Sequence, residues 1–291
     1  PCQLYQDYGI AGYLMASPGQ PVWIGYHLLE EALKTQKPKL IVYDVYTLYR
    51  TESEAGSWEC LLGMKPSLNK WNAINAVNEE GPLMDKYGAF FSFPYYHTRY
   101  DELTRQDYDK EQQSRYLGYK PDFTVIPKKK LAAWEQIDRT GFNQAKAVDP
   151  RTERYLRKLI ELCRDKEIPL VLVNAPYANQ MLEKQQAHNY TAQIAEEYGV
   201  PFIDGNRFVE QMQIDFSKDL VEVSHLNYYG SVKYTDYLGQ WIKNNYVIED
   251  RRGQDNYRHW EEVSNRFERT QLLKKELKKT KKYEDYKEKV L

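Results

Sequence analysis

The sequence predicts an α/β fold built on a parallel sheet, and three observations carry that prediction. Leu40-Ile-Val-Tyr-Asp-Val45 and Ile168-Pro-Leu-Val-Leu-Val-Asn174 are continuous apolar runs, the composition of strands covered on both faces. An amphipathic segment of helical period precedes each run. Helical segments, rather than two-residue turns, separate the candidate strands, which is the grammar of crossover connections.

Taken in order, residues 1–8 read as the end of a helix or its exit loop. Gly9 to Ala16 (GIAGYLMA) is short and apolar and is expected to be a strand, broken by Ser17-Pro-Gly-Gln20. From Pro21 to Lys37, Val22, Trp23, Tyr26, Leu29, Ala32 and Leu33 recur at helical spacing. Pro21 at the start and the Glu30/Glu31–Lys34 pairs support that helix. Lys37-Pro38 ends it, and the first apolar run follows. Arg151 to Lys166 repeats the pattern with Tyr155, Leu156, Leu159, Ile160, Leu162 and Cys163 on one side. After the second run, a helix over 181–198 is closed by Gly199, where a left-handed cap belongs. Val200 to Asp204 is a short strand and 206–212 a short helix. The last helix carries Tyr228, Val232, Tyr234, Thr235, Leu238, Trp241 and Ile242 on a broad face.

Residues 50–150 interrupt the alternation. They are rich in Tyr, Trp, Lys and Glu, with an aromatic stretch at Phe90–Tyr100 and a loop-like 131–150, and are expected to form a cap. The chain then divides into 1–49 and 151–248 as the two parts of the α/β domain, 50–150 as an insertion, and 249–291 as a polar extension that leaves the core. Within 270–291 eight lysines face four acids, which reads as a solvated helix.

Composition excludes several functions. The 41 basic and 42 acidic residues give a net charge of -1, so there is no general pull toward nucleic acid or an anionic membrane. Hydrophobic content of 42% can support a core. Cys2, Cys60 and Cys163 show neither CxxC nor His-rich spacing, which argues against a zinc site or a disulfide framework. No Gly-rich phosphate loop follows a candidate strand, so a flavodoxin-like nucleotide binder is disfavoured, and no cofactor is expected.

The stretch with chemistry in it is Asp219-Leu-Val-Glu-Val-Ser-His-Leu-Asn-Tyr-Tyr-Gly230. An acid three residues before a histidine can set a carboxylate against Nδ1, fix the tautomer and leave Nε2 free as a base. Ser224 and Asn227 also suit a helix cap, and that is the competing reading of the same stretch. In a parallel α/β sheet ligands sit beyond the carboxyl ends of the strands, where this loop and the loops after Ala16, Val45, Asn174 and Asp204 are expected to gather.

Together with the strand order, four stretches resemble the SGNH (GDSL-like) esterase superfamily, and most closely a bacterial branch of it. They are Gly19-Gln20, Gln36 to Tyr46 (QKPKLIVYDVY), Tyr96-His-Thr-Arg-Tyr100 and Ser224-His-Leu-Asn-Tyr-Tyr-Gly230. The resemblance implies a flavodoxin-like three-layer sandwich with a central parallel sheet. It makes His225 the general base, Glu222 (where the family normally has Asp) its orienting acid unless Asp219 takes over, and Gly19 an oxyanion donor. Gln20, His97, Arg99 and Asn174 become candidate substrate contacts. The family serine follows the first strand in a Gly-x-Ser element, and nothing of that kind lies near Pro1. The expectation is therefore that the first strand and the nucleophile precede this chain, with Ser17 the internal alternative. The function implied is an ester hydrolase or O-acyl (acetyl) transferase acting on an acylated carbohydrate or similar ester, exported or tethered to a membrane by that missing segment. Its rival is a non-catalytic module of the same shape that binds a glycan or a protein.

Overall fold

The computed structural model describes residues 1–17, 19–50, 60–61, 63–77, 83–91, 116–135 and 138–279. In chain order its elements begin with α1 (Cys2–Tyr8), α2 (Val22–Ala32), β1 (Ile41–Asp44) and a 3-10 turn at Tyr46–Tyr49. Next come α3 (Leu68–Val77), α4 (Leu83–Phe91), α5 (Lys128–Glu135), α6 (Pro150–Asp165), β2 (Leu170–Asn174) and α7 (Leu182–Tyr198). The last are β3 (Phe202–Asp204), α8 (Phe216–Asp219), β4 (Leu220–Glu222), β5 (His225–Leu226), α9 (Tyr228–Asn245) and α10 (Arg258–Lys279). The chain is α/β, as its sequence predicts.

Contacts divide it into two compact units. One comprises Pro1–Met15, Arg105–Asp122 and Val232–Leu291; the other comprises Ala16–Thr104 and Phe123–Ser231.

The second unit holds a three-stranded sheet in the order β1-β2-β3. Its ladders are parallel, pairing Ile41 with Leu170 and Asn174 with Asp204. All five residues of β2 are buried, which explains its unbroken run of apolar side chains. Val42 and Asp44 of β1 are exposed. The core joins Val22, Trp23 and Ile24 of α2, Ala73, Ile74 and Ala76 of α3, Leu156, Leu159 and Ile160 of α6, and Leu170 and Leu172 of β2. Part of the expected insertion therefore builds this core. Helix α6 starts where it does because the Asp149 carboxylate accepts from the backbone N–H groups of Arg151 and Thr152, with Pro150 in the first turn. Helix α7 ends at Gly199, whose φ of 66° is the left-handed cap conformation.

The expected strand at 9–16 does not form, so Gly19 does not follow a strand. Gly9, at φ 65°, caps α1. The Leu14 amide donates to Leu117 O, and Trp260 Nε1 donates to Gly12 O. Tyr13, Leu14 and Met15 are exposed, so this apolar run satisfies its backbone through loop contacts within the first unit. Helix α5 also runs through Glu135, into the region 131–150 read as loop.

The segment expected to leave the core instead builds the first unit. Helix α10 packs along α1, with Val263 and Phe267 buried and Phe267 edge-on to Tyr116. Tyr5 Oη donates to the Glu261 carboxylate, and the Arg251 amide donates to Gly9 O. Chain ends far apart in sequence thus form a single helical packing.

Candidate active site

The site is built at the carboxyl ends of the parallel strands. Beyond β1, the Val45 amide continues the ladder to Val173 O and the chain enters the Tyr46–Tyr49 turn, whose first amide donates to Asp44 Oδ1 at 2.8 Å. Beyond β2 runs the loop 175–181, and beyond β3 the turn Gly205–Arg207. Gly205 is needed here for space, since a Cβ would lie 2.4 Å from Asn174 O.

The His225 stretch is not the irregular loop expected but a two-stranded antiparallel hairpin, with Glu222 directly opposite His225. The Glu222 carboxylate touches His225 Nδ1 with one oxygen and accepts the Ser224 amide with the other, at 3.0 Å. Nδ1 is thereby occupied, which leaves Nε2 as the nitrogen open to another partner on an exposed side chain. Asp219 is buried, and its carboxylate accepts the Asp215 amide at 2.7 Å. Glu222, not Asp219, is the acid that meets the imidazole.

Two anchors set the position of this hairpin. The loop after β2 reaches it through the Ala178 and Asn179 amides, both donating to Val223 O, and through Asn179 Nδ2, which donates to Ser224 Oγ at 2.9 Å. From below, the buried Asn227 amide donates to Thr124 O, Lys218 O and Leu220 O, while its carbonyl accepts the Gly230 amide and caps α9. Gly230 admits this approach, because a Cβ would meet Asp219 O at 2.3 Å.

Around His225 stands a group that sequence spacing did not reveal. The Tyr46 ring centroid lies 6.3 Å from that of His225 and 5.1 Å from that of Tyr177. The fully buried Lys184 Nζ sits 4.9 Å from the Tyr46 and Tyr49 ring centroids and 5.1 Å from that of Tyr177, and donates to Tyr46 Oη at 2.9 Å. Burial pushes the Lys184 ammonium below its ordinary pKa. Behind it, buried His188 sets Nε2 3.1 Å from Tyr177 Oη, and burial lowers its pKa to about 4, so it is neutral near pH 7. Lys184 reads in sequence as one more charge on a helix; only a contact across 138 residues shows otherwise.

Asn174 is fully buried, donating to Asp204 Oδ1 at 3.3 Å. Asp204 also takes the Asn206 amide, Gln185 Nε2 and Arg207 Nε, and so ties the β3 turn to α7. Gly19 has a φ of +65°, and the Gln20 carbonyl accepts from Thr47 Oγ1 at 3.0 Å. The Tyr46–Tyr49 turn thus faces His225 on one flank and holds the Gly19-Gln20 turn on the other. Ser17 Oγ donates to Gln20 Oε1 at 2.8 Å. Among the described residues no hydroxyl hydrogen-bonds to His225. His97 and Arg99 lie outside the described residues. Of the remaining histidines, His27 is buried against Asn69 Oδ1 at 2.7 Å, and His259 packs edge-on to Trp260.

Among the described residues no cluster of three or more His, Cys, Asp or Glu could hold a metal, and no helix is long and apolar enough to cross a membrane. No family model, curated protein or solved structure matches the chain.

Proposed function

We propose that this chain supplies the general base and its orienting acid to a serine ester hydrolase, or to an O-acyl transferase of the same chemistry, acting on an acylated carbohydrate or similar ester. The observation that carries the reading is the Glu222–His225 contact, held on a braced hairpin beside the carboxyl ends of a parallel sheet. In such a pair the carboxylate holds the imidazole in one tautomer and stabilises the imidazolium as Nε2 takes a proton from the attacking hydroxyl. The imidazolium then protonates the departing alkoxide. The resemblance assigns the Gly19 N–H to the oxyanion and Gln20, His97 and Arg99 to substrate; Asn174, fully buried and bonded to Asp204, supports the turn after β3 instead of meeting substrate. The finer fold reading, a flavodoxin-like three-layer sandwich, belongs to this proposal and draws support from the parallel order β1-β2-β3. So does an extracytoplasmic site of action, where acylated glycans are exposed. Acetate release from O-acetylated glycans by the full gene product tests it. Release that His225→Ala reduces to background supports the reading; equal release by both proteins contradicts it.

A second reading is a non-catalytic module of this shape that binds glycan or protein. It is favoured by the lack, among the described residues, of a hydroxyl on His225. Glycan binding by a gene product that releases no acyl group, and that His225→Ala leaves unchanged, selects it.

A further inference from the structure

The group behind Tyr46 has a property that packing alone does not require. Lys184 is fully buried, yet among the described residues no carboxylate forms a salt bridge with it, Glu222 favouring its charge only from a longer distance; its near partners are phenol hydroxyls and ring faces. It also stands in the first turn of α7, where the positive end of the helix dipole disfavours a cation. Three tyrosine rings offset part of that cost through their negative faces. A methionine or leucine would fill the same space without it, so the amine needs a reason to be there. Perturbed, desolvated amines of this kind gather at functional sites.

The geometry supplies that reason. Lys184 Nζ donates to Tyr46 Oη, so the phenol oxygen is engaged from the buried side and its own O–H is directed away from the amine. Tyr46 is half-buried, and its ring centroid lies 6.3 Å from that of the exposed His225. Tyr49 and Tyr177 pack edge-on against the Tyr46 ring, at 5.8 and 5.1 Å between centroids, and fix its tilt. The turn that carries Tyr46 is pinned at its start by Asp44 and at Thr47 by the Gln20 carbonyl.

We propose that Tyr46 is a hydrogen-bond donor to an oxygen of the ligand at the His225 site, and that Lys184 is the positioning residue that orients and polarises its hydroxyl. The ligand group is an oxygen acceptor, an ester carbonyl or a sugar hydroxyl. If chemistry occurs, the phenol strengthens its bond as negative charge builds on that oxygen, and no proton leaves Tyr46. The inference rests on the His225 site being functional, and it adds a residue to that site.

The test uses the full gene product with Tyr46→Phe, Lys184→Met, Lys184→Arg and His225→Ala, each first checked for an unchanged melting temperature. Two readouts are taken: kcat and KM for 4-nitrophenyl acetate, and the NMR resonance of the His225 ring Cε1–H. Tyr46→Phe and Lys184→Met are expected to lower kcat by roughly 10²-fold, with KM within about twofold, the signature of a lost donor to developing charge. Lys184→Arg is expected to recover most of the rate, which a packing defect would not allow, because a cation in the same place can still donate to Tyr46. Wild-type turnover that His225→Ala abolishes, but that Tyr46→Phe and Lys184→Met leave within twofold, overturns this inference while the esterase reading stands. Absence of turnover in the wild type sinks the esterase reading, and the resonance then decides the pair. A His225 signal displaced by Lys184→Met and restored by Lys184→Arg supports the positioning role, and one unmoved by either overturns it.

Discussion

Glu222 grips His225 and its own hairpin turn at once, one carboxylate oxygen on the Nδ1 side of the ring and the other on the Ser224 amide. The side chains are 43% and 72% exposed. A carboxylate–imidazole contact that open contributes only about 0–1 kcal/mol to stability. Glu222→Gln is therefore expected to shift the melting temperature by no more than a few degrees, while lowering ester turnover by about 10²-fold or more through loss of the orienting charge. Differential scanning calorimetry beside steady-state kinetics checks both. Glu222→Asp, one methylene shorter, is expected to keep the charge but misplace it, giving an intermediate rate.

Asn227 does for stability what Glu222 does not. Its buried amide donates to three carbonyls and its oxygen caps α9. Asn227→Ala leaves those groups without partners and removes the cap, an expected cost of about 2–4 kcal/mol in urea unfolding. Gly230→Ala is expected to destabilise as well, because the new Cβ would approach Asp219 O to 2.3 Å and backbone must move.

His188 makes stability depend on pH. Its pKa is lowered by burial from 6.5 in the unfolded chain to about 4 in the native one. Between those values the unfolded chain binds the extra proton, so the contribution is fully present above about pH 6.5, declines as pH falls toward about 4, and is flat below. Unfolding free energy measured across that window is expected to fall less steeply in His188→Gln than in the wild type.

Phe267 tests the packing of the first unit. It is buried and meets the rings of Tyr116 and Tyr119 edge-on. Phe267→Ala is expected to cost about 3–5 kcal/mol in denaturant unfolding, as a large core ring does and a solvated tail residue does not.

The parts legible in the sequence were those whose signal is local. The amphipathic pattern of Arg151 to Lys166 marks α6, Gly199 ends α7, and the unbroken apolar run of β2 follows from burial of all five residues. The acid-x-x-His spacing was visible because β4 and β5 bring residues three apart face to face. What failed was long-range. Gly9–Ala16 has the apolarity of a strand, but a strand needs a partner edge, and its backbone bonds go to Leu117 and Trp260 instead. The polar start of the segment after Tyr246 hid Val263 and Phe267, which a helical count from Trp260 recovers. Lys184 and Tyr46 had no spacing to betray them, because their contact exists only once β1 and α7 are folded together.

The most direct test of the central claim is fluorophosphonate labelling of the full gene product, with the modified residue located by mass spectrometry. The account predicts one labelled serine, and no label once His225 is alanine. A wild-type protein that takes no label, or a label that persists at the same rate in His225→Ala, would contradict it.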